Sequence, residues 1–391
     1  MDGKPERLRA GLVTPLTLVL TLVAAIGFYF IAQRLIHGFD AVTHLSAGYP
    51  WGIWVVVDMV IGTALGCGGF AMAILVYVFN RGELHPLMRP ALLGGLFGYT
   101  LAGVAVMIDL GRYWQFYNLM LPGYINLNSV LFETAACVMA YVMVLWLEFA
   151  PAILERLGLS HLRKALERVM WMIIALGIVL PMMHQSTLGT TLIPLGHKLS
   201  PLYQTPLLPL LFVVSALVIG YGVVVAEATV VSRGFRLPSE HRLLVQLGQV
   251  TGWVLALWLV VRWADIVWRG ALGAAFDGSL VAGFFWAENL IALFAVFTTL
   301  SRVGQHSERL TFLGGTAVIL FAALYRINGY LIAYTPAVGG YSYFPAASEL
   351  MVTLGIIALE ILLYLVFIKI FPVLHLPARR GRTAAARAQE A

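Results

Sequence analysis

The sequence predicts an all-α protein that crosses a membrane about ten times. Three observations predict it. Hydrophobic residues make up 60% of the chain and charged residues only 11%, against roughly 25% charged in an ordinary soluble domain. The apolar residues come in long unbroken blocks rather than in amphipathic stripes. The basic residues alternate from loop to loop. Only helices and closed barrels satisfy their backbone in lipid, and barrel strands of about ten alternating residues are not seen.

Ten blocks approach the ~20 residues that a bilayer requires: 13–35, 53–79, 91–110, 127–149, 169–184, 206–231, 246–268, 280–301, 310–333 and 350–371. Together they read as one integral membrane domain over 1–375. The first follows Lys4, Arg7 and Arg9 but has no clear cleavage site, so it reads as a retained helix and not as a signal peptide. The second and third carry Gly62/Gly66 and Gly94/Gly98, spacings that let helix backbones approach closely. The third ends in "MIDLGRYW". Residues 376–391 form a short basic tail.

Of the 25 Lys and Arg, 18 lie in the N-terminus, the loops after spans 2, 4, 6 and 8, and the tail. Basic loops stay on the cytoplasmic side, so both termini are expected there. The opposite loops, such as "GRYWQFYNLMLPGYINLN", are aromatic and poor in charge. They would face the periplasm of a Gram-negative bacterium. Most of their Tyr and Trp suit a membrane belt; the same composition suits a protein-docking surface. The net charge of +6 follows this loop pattern and gives no reason to invoke nucleic acid. Cys67 and Cys137 are too few for an iron–sulphur cluster, which takes four thiolates.

Charges inside spans are costly, yet the chain keeps Asp58, Asp109, Glu133, Glu148, Glu227, Asp265, Glu288 and Glu360, with Arg262 and Arg326. Asp58 lies about two turns into span 2. Asp109 and Arg112 are expected to neutralise one another, with Tyr113 and Trp114 at a rim. Glu133 is expected roughly 10 Å below Asn126, and His184 and Gln185 at the mouth of span 5. If spans 2–5 bundle, these groups line one polar pocket in the outer half of the membrane. Tyr99, Glu133 and Glu148 suggest a proton route, the two acids being roughly 22 Å apart along their helix. Arg262 and Asp265 read as an internal ion pair, and Glu288 is set to pair with Arg326. No histidine falls in mid-span, which argues against a transmembrane b-type haem. No metal site is expected.

Several stretches carry a family resemblance: "PWGIWVVVDMVIGTALGCGG", "VYVFNRGELHPLMRPALLGGLFGY", "MIDLGRYW", "NSVLFETA", "LEFAPA", "PMMHQSTLG" and "GGYSYFPAASELMVTLG". They resemble the NrfD-like (polysulphide reductase membrane subunit) family, and within it the ten-helix HybB-type subunits of membrane-bound nickel–iron hydrogenases. The resemblance implies a haem-free subunit in the bacterial inner membrane that exchanges electrons between a partner and menaquinone or ubiquinone. An iron–sulphur, ferredoxin-like subunit would dock on the periplasmic side, beside hydrogenase small and large subunits that hold the clusters and the nickel–iron centre. It also implies two four-helix bundles, here spans 2–5 and 6–9 flanked by 1 and 10. The catalytic and quinone-binding groups would be Asp58, Asp109, Arg112, Tyr113, Trp114, Glu133, His184 and Gln185. The equivalent subunit of a sulphur-metabolism or cytochrome-linked complex, a secondary transporter and a passive anchor are the competing readings. Buried acids argue against an anchor; outward-clustered charges and the lack of an internal repeat argue against a transporter.

Overall fold

The computed structural model describes residues 5–374 except Arg9, Ala47, Ser239 and residues 337–341. The expected tail and part of the "GGYSYF" stretch therefore lie outside the described residues. Ten helices long and apolar enough to span a membrane are present. They are α1 Pro15–His37, α2 Trp54–Val78, α3 Gly82–Asp109, α4 Val130–Leu157, α5 Ser160–Lys198, α6 Leu208–Gly234, α7 His241–Trp268, α8 Leu280–Leu300, α9 Glu308–Ile332 and α10 Ala347–Ile370. The described residues contain no strand, only isolated bridges such as Glu6 with Leu374.

Local chemistry sets the ends. Thr14 accepts from the Thr17 amide and Pro15 occupies the first turn of α1, both favourable helix starts. Ser129 caps α4 and Gly158, at φ 72°, ends it, as a left-handed glycine does. Several helices outrun their apolar blocks on the basic side. There Arg163 pairs with Glu167 at 2.7 Å, and Glu155 lies 3.6 and 3.7 Å from Arg89 and Arg163.

Helices α2–α5 close one four-helix bundle and α6–α9 a second. Helix α2 packs against α6 and α9, so it forms the seam between the bundles. Helices α1 and α10 pair with each other and lie on the α2–α3 side of the first bundle. The expected small-residue contact is present: a Cβ on Gly95 would sit 2.6 Å from the Gly66 carbonyl oxygen. The Glu6–Leu374 bridge brings the first and last described segments together on the face that carries the basic loops. The opposite, aromatic face exposes Trp114, Tyr117 and Tyr124. Two seam segments, Trp54–Ile61 of α2 and Asn328–Ile332 of α9, are wound as π-helix, a distortion common at functional sites.

Candidate functional site

A buried arginine holds the seam. Arg326 of α9 is 0% exposed. Its Nη1 donates to the Val60 carbonyl at 3.2 Å. Its Nη2 lies 2.9 Å from Gln185 Oε1, 3.2 Å from the Phe212 carbonyl and 3.2 Å from Ser215 Oγ. It thus ties α9 to α2, α5 and α6. The Gln185 amide donates onward to Thr63 Oγ1 at 3.1 Å and Tyr99 Oη at 3.3 Å. Tyr99 also meets Cys67 Sγ at 3.4 Å and the rings of Tyr141 and His184 at 4.5 and 5.8 Å. His184 is fully buried, and neither ring nitrogen has a hydrogen-bond partner.

This position corrects the expectation that His184 and Gln185 stand at a helix mouth. The α-helical part of α5 continues to Thr190, so both lie more than a turn inside. Hydroxyls explain why polar "STLGTT" stays helical: Thr187 donates to the His184 carbonyl at 2.8 Å and Thr190 to Ser186 at 3.0 Å. Such bonds absorb the side-chain polarity within the helix itself.

The other expected pocket residues separate. Asp58 is buried, but it faces α10, where Thr353 Oγ1 donates to its Oδ2 at 3.3 Å. Glu133 is exposed in the first turn of α4. It does not reach the expected depth, because residues 121–129 are not helical and α4 begins only at Val130. Arg112 is exposed and forms no ion pair with Asp109 among the described residues. The cation that approaches this helix end is instead Arg34 of α1, 2% exposed, which likewise forms no ion pair with Asp109 among the described residues. Arg34 donates to the neighbouring Leu110 carbonyl and lies over the rings of Phe39 and Tyr113 at 4.1 and 5.5 Å. Trp114 is 57% exposed on the aromatic face. The proton-route residues also divide. Tyr99 sits in the seam. Glu148 packs on Gly177 of α5, two turns from Tyr141 on the same helix face, and Glu133 is on the outside.

A second set of acids forms a row. Gly94 and Gly98 of α3 lack the side chains that would fill the space taken by two carboxyls. A Cβ on Gly94 would lie 3.4 Å from Glu227 Oε2, and one on Gly98 3.2 Å from Glu360 Oε1. Tyr364 donates to Glu227. Two turns along α10 from Glu360 stands Thr353, which bonds Asp58. Asp109 ends the row, about 22 Å from Gly94 along α3. At the other end Glu227 lines a cavity of about 60 Å³ with Leu87, Ser232, Glu240 and Tyr364. The glycine spacing, read as packing alone, was the sequence signal for this row; its other function is to admit carboxyls from α6 and α10.

Glu349, at the start of α10, organises the aromatic face. Its Oε2 accepts from the His44 and Ala346 amides at 3.0 and 2.7 Å, and its Oε1 from Tyr343 Oη at 2.7 Å. Tyr343 in turn accepts from the Ile53 amide at 2.8 Å. Burial, then this bond to Glu349, pushes the Tyr343 phenol well above its ordinary range, so it stays a donor.

The second bundle also re-pairs its charges. Arg262 meets Glu288 at 3.6 Å, both fully buried, while Asp265 pairs with Arg269 at 2.8 Å. Tyr203 and Asn328 donate to Glu288 Oε2 at 2.8 and 2.7 Å. The expected Arg262–Asp265 and Glu288–Arg326 pairs are thus replaced. An acid four residues before an arginine is the favoured helical order, and the Asp265–Arg269 pair has it.

Comparison with known proteins agrees with the fold. The chain is 40% identical over 377 residues, 96% of each chain, to the "Probable Ni/Fe-hydrogenase 2 b-type cytochrome subunit" of Escherichia coli. It is 27% identical over 283 residues, 67% of this chain and 65% of the other, to the "Menaquinone reductase, integral membrane subunit" of Nitratidesulfovibrio vulgaris. It is 23% identical over 394 residues, 92% of this chain and 93% of the other, to the "Hdr-like menaquinol oxidoreductase integral membrane subunit" of Archaeoglobus fulgidus. The first of these names raises a b-type haem. A membrane haem of that kind takes axial ligands from facing helices, usually histidines. Here His184 packs against Tyr99, and the other described histidines lie at helix ends or in loops, so the donor set does not fit. The model of the family "Polysulphide reductase, NrfD" matches residues 41–336. With ten spanning helices and this match over most of its length, the chain is an integral membrane protein that belongs to the NrfD family.

Proposed function

We propose that the chain is the haem-free, quinone-reactive membrane subunit of a respiratory oxidoreductase, of the nickel–iron hydrogenase type named for its Escherichia coli relative. A partner iron–sulphur protein docks on the aromatic face, which is periplasmic if the basic face is cytoplasmic. Its cluster exchanges electrons with the quinone pool, menaquinone or ubiquinone. Reduction to quinol takes two electrons and two protons; the partner brings the electrons, and this chain brings the protons.

The observation that carries the reading is the row from the basic-face cavity through Glu227, Glu360 and Asp58 to Asp109. A passive anchor needs no such row. A transporter would gather its charges around broken helices near the midplane, whereas these run end to end. The quinone head is assigned to the aromatic end of α3 and α4. There Glu133 is exposed beside Leu131, which is 68% exposed, and can meet a carrier arriving through lipid. Arg34, Tyr113 and the protonated form of Asp109 donate hydrogen bonds to its carbonyls. A carboxyl at hydrogen-bond distance from a quinone oxygen transfers the proton that accompanies each electron. Tyr99, His184 and Gln185 form a side branch to the seam, which keeps α2 and α5 in register.

Two measurements test this. The purified full-length chain in lipid nanodiscs is titrated with a menaquinone analogue. Saturable binding is expected, weakened about three- to tenfold in Glu133→Ala or Asp109→Ala, the worth of one neutral hydrogen bond. Absence of saturable binding, or wild-type affinity in both variants, refutes the site. In the assembled complex, Glu360→Gln is expected to lower quinone turnover while leaving analogue binding intact. Unchanged turnover removes the row from the mechanism.

A further inference from the structure

At the basic face, far from the aromatic end and beside the cavity at the end of the row, with which it shares Ser232 and Leu237, a cavity of about 230 Å³ opens between the end of α6 and the starts of α7 and α9. That is about eight water volumes at ~30 Å³ each, enough for a phosphate diester. Its lining includes Arg233, Arg236 and His241. Glu308 also lines it, but is engaged by Arg233 at 3.8 Å. Arg236 has no ion-pair partner among the described residues. It stands at φ 53° just past α6, in the left-handed position where glycine is the unstrained choice. His241 Nε2 donates to the Gln305 carbonyl at 3.0 Å, which fixes the ring.

The remaining donors are the Arg233 and Arg236 guanidiniums. The Thr229 and Ser232 hydroxyls in the lining already donate to helix carbonyls, at 2.7 and 3.0 Å. Such a site selects an anion over a neutral polyol. One turn deeper on the same helix faces lie Val230, 57% exposed, and Phe312, over whose ring the Arg233 guanidinium sits at 6.0 Å. An apolar seat just below a cationic cavity at the membrane boundary matches a lipid with its headgroup above and its chain beneath.

We infer that this cavity binds a phosphate-bearing anion, and the apolar seat favours the headgroup of an acidic phospholipid. The site is independent of the quinone reading.

The test uses the delipidated full-length chain in detergent, analysed by native mass spectrometry with added phosphatidylglycerol or phosphatidylcholine. One phosphatidylglycerol per chain is expected to be retained in preference to phosphatidylcholine. Retention is expected to fall about fivefold for each arginine removed, the preference a basic side chain gives at a charged lipid surface. Arg236→Asn tolerates the left-handed backbone; Arg236→Gly is the second variant should the first fold poorly, and Arg233→Gln/Arg236→Asn is the double variant. Arg81→Gln, elsewhere on the basic face, is expected to leave retention unchanged. Displacement of the lipid by millimolar inorganic phosphate assigns the site to the phosphate group itself; resistance to phosphate assigns it to the lipid. Equal retention of both lipids, or undiminished phosphatidylglycerol retention in the double variant, overturns the inference.

Discussion

Replacing Arg326 by methionine removes a side chain that bonds α9 to three other helices. The structure sets the magnitude. Four contacts are lost, to Val60, Gln185, Phe212 and Ser215. Hydrogen bonds between membrane helices are worth about 0.6 kcal/mol on average, and those made by charged groups up to about 1.5–3 kcal/mol. All four partners are neutral, so no charge is stranded; with partial replacement by neighbours, Arg326→Met is expected to cost about 2–4 kcal/mol. Methionine keeps most of the volume, so the loss is polar and not a cavity effect. The assay is reversible unfolding of the purified chain in mixed micelles with increasing denaturing detergent, followed by helical circular dichroism. Arg326→Lys keeps the charge but loses the planar fork, and is expected to fall between wild type and Arg326→Met. A cycle with Gln185→Leu isolates the 2.9 Å bond, with a coupling of about 0.5–2 kcal/mol expected for side chains in direct contact. A cost below about 1 kcal/mol for Arg326→Met, or no coupling to Gln185, would refute the view that this arginine latches the two bundles.

Gly98→Ala pushes a methyl to 3.2 Å from Glu360 Oε1 and from Gly66 Cα; it is expected to cost about 1–3 kcal/mol by overpacking and to lower quinone turnover of the complex. Gly103→Ala, whose nearest new neighbour is 4.0 Å away, is the matched change that leaves both readouts near wild type. Arg262→Met strands the buried Glu288 carboxyl and is expected to cost about 3–5 kcal/mol, whereas Arg262→Met/Glu288→Met recovers most of it. Unfolding curves that rank the double variant below the single would reject that ion-pair assignment.

The ten spans were legible because lipid imposes length and polarity on each helix separately, and α8 and α10 fall within three residues of their apolar blocks. The ends of α5 were not legible, because hydroxyl side chains that bond their own helix look like loop residues in a linear string. The partners of Arg262 and Arg326 differ from the expected ones for a related reason. Asp265 is the near neighbour of Arg262 along its own helix, but Glu288 reaches it from the next helix; Arg326 is expected to pair with Glu288 of the adjacent helix, but is bonded by Gln185, which arrives from a helix far away in the chain.

By itself the sequence determined the membrane class, the number of crossings, the basic face and the family, since each depends on patterns that are local or additive along the chain. The tertiary structure alone decided which acids line up, that Glu133 faces outward while Asp58 faces α10, and that Arg34 and not Arg112 approaches the helix end at Asp109. Those outcomes depend on helix rotation and on which backbones touch. A rotation of one residue, about 100°, turns a buried carboxyl towards lipid without changing any span length or loop charge.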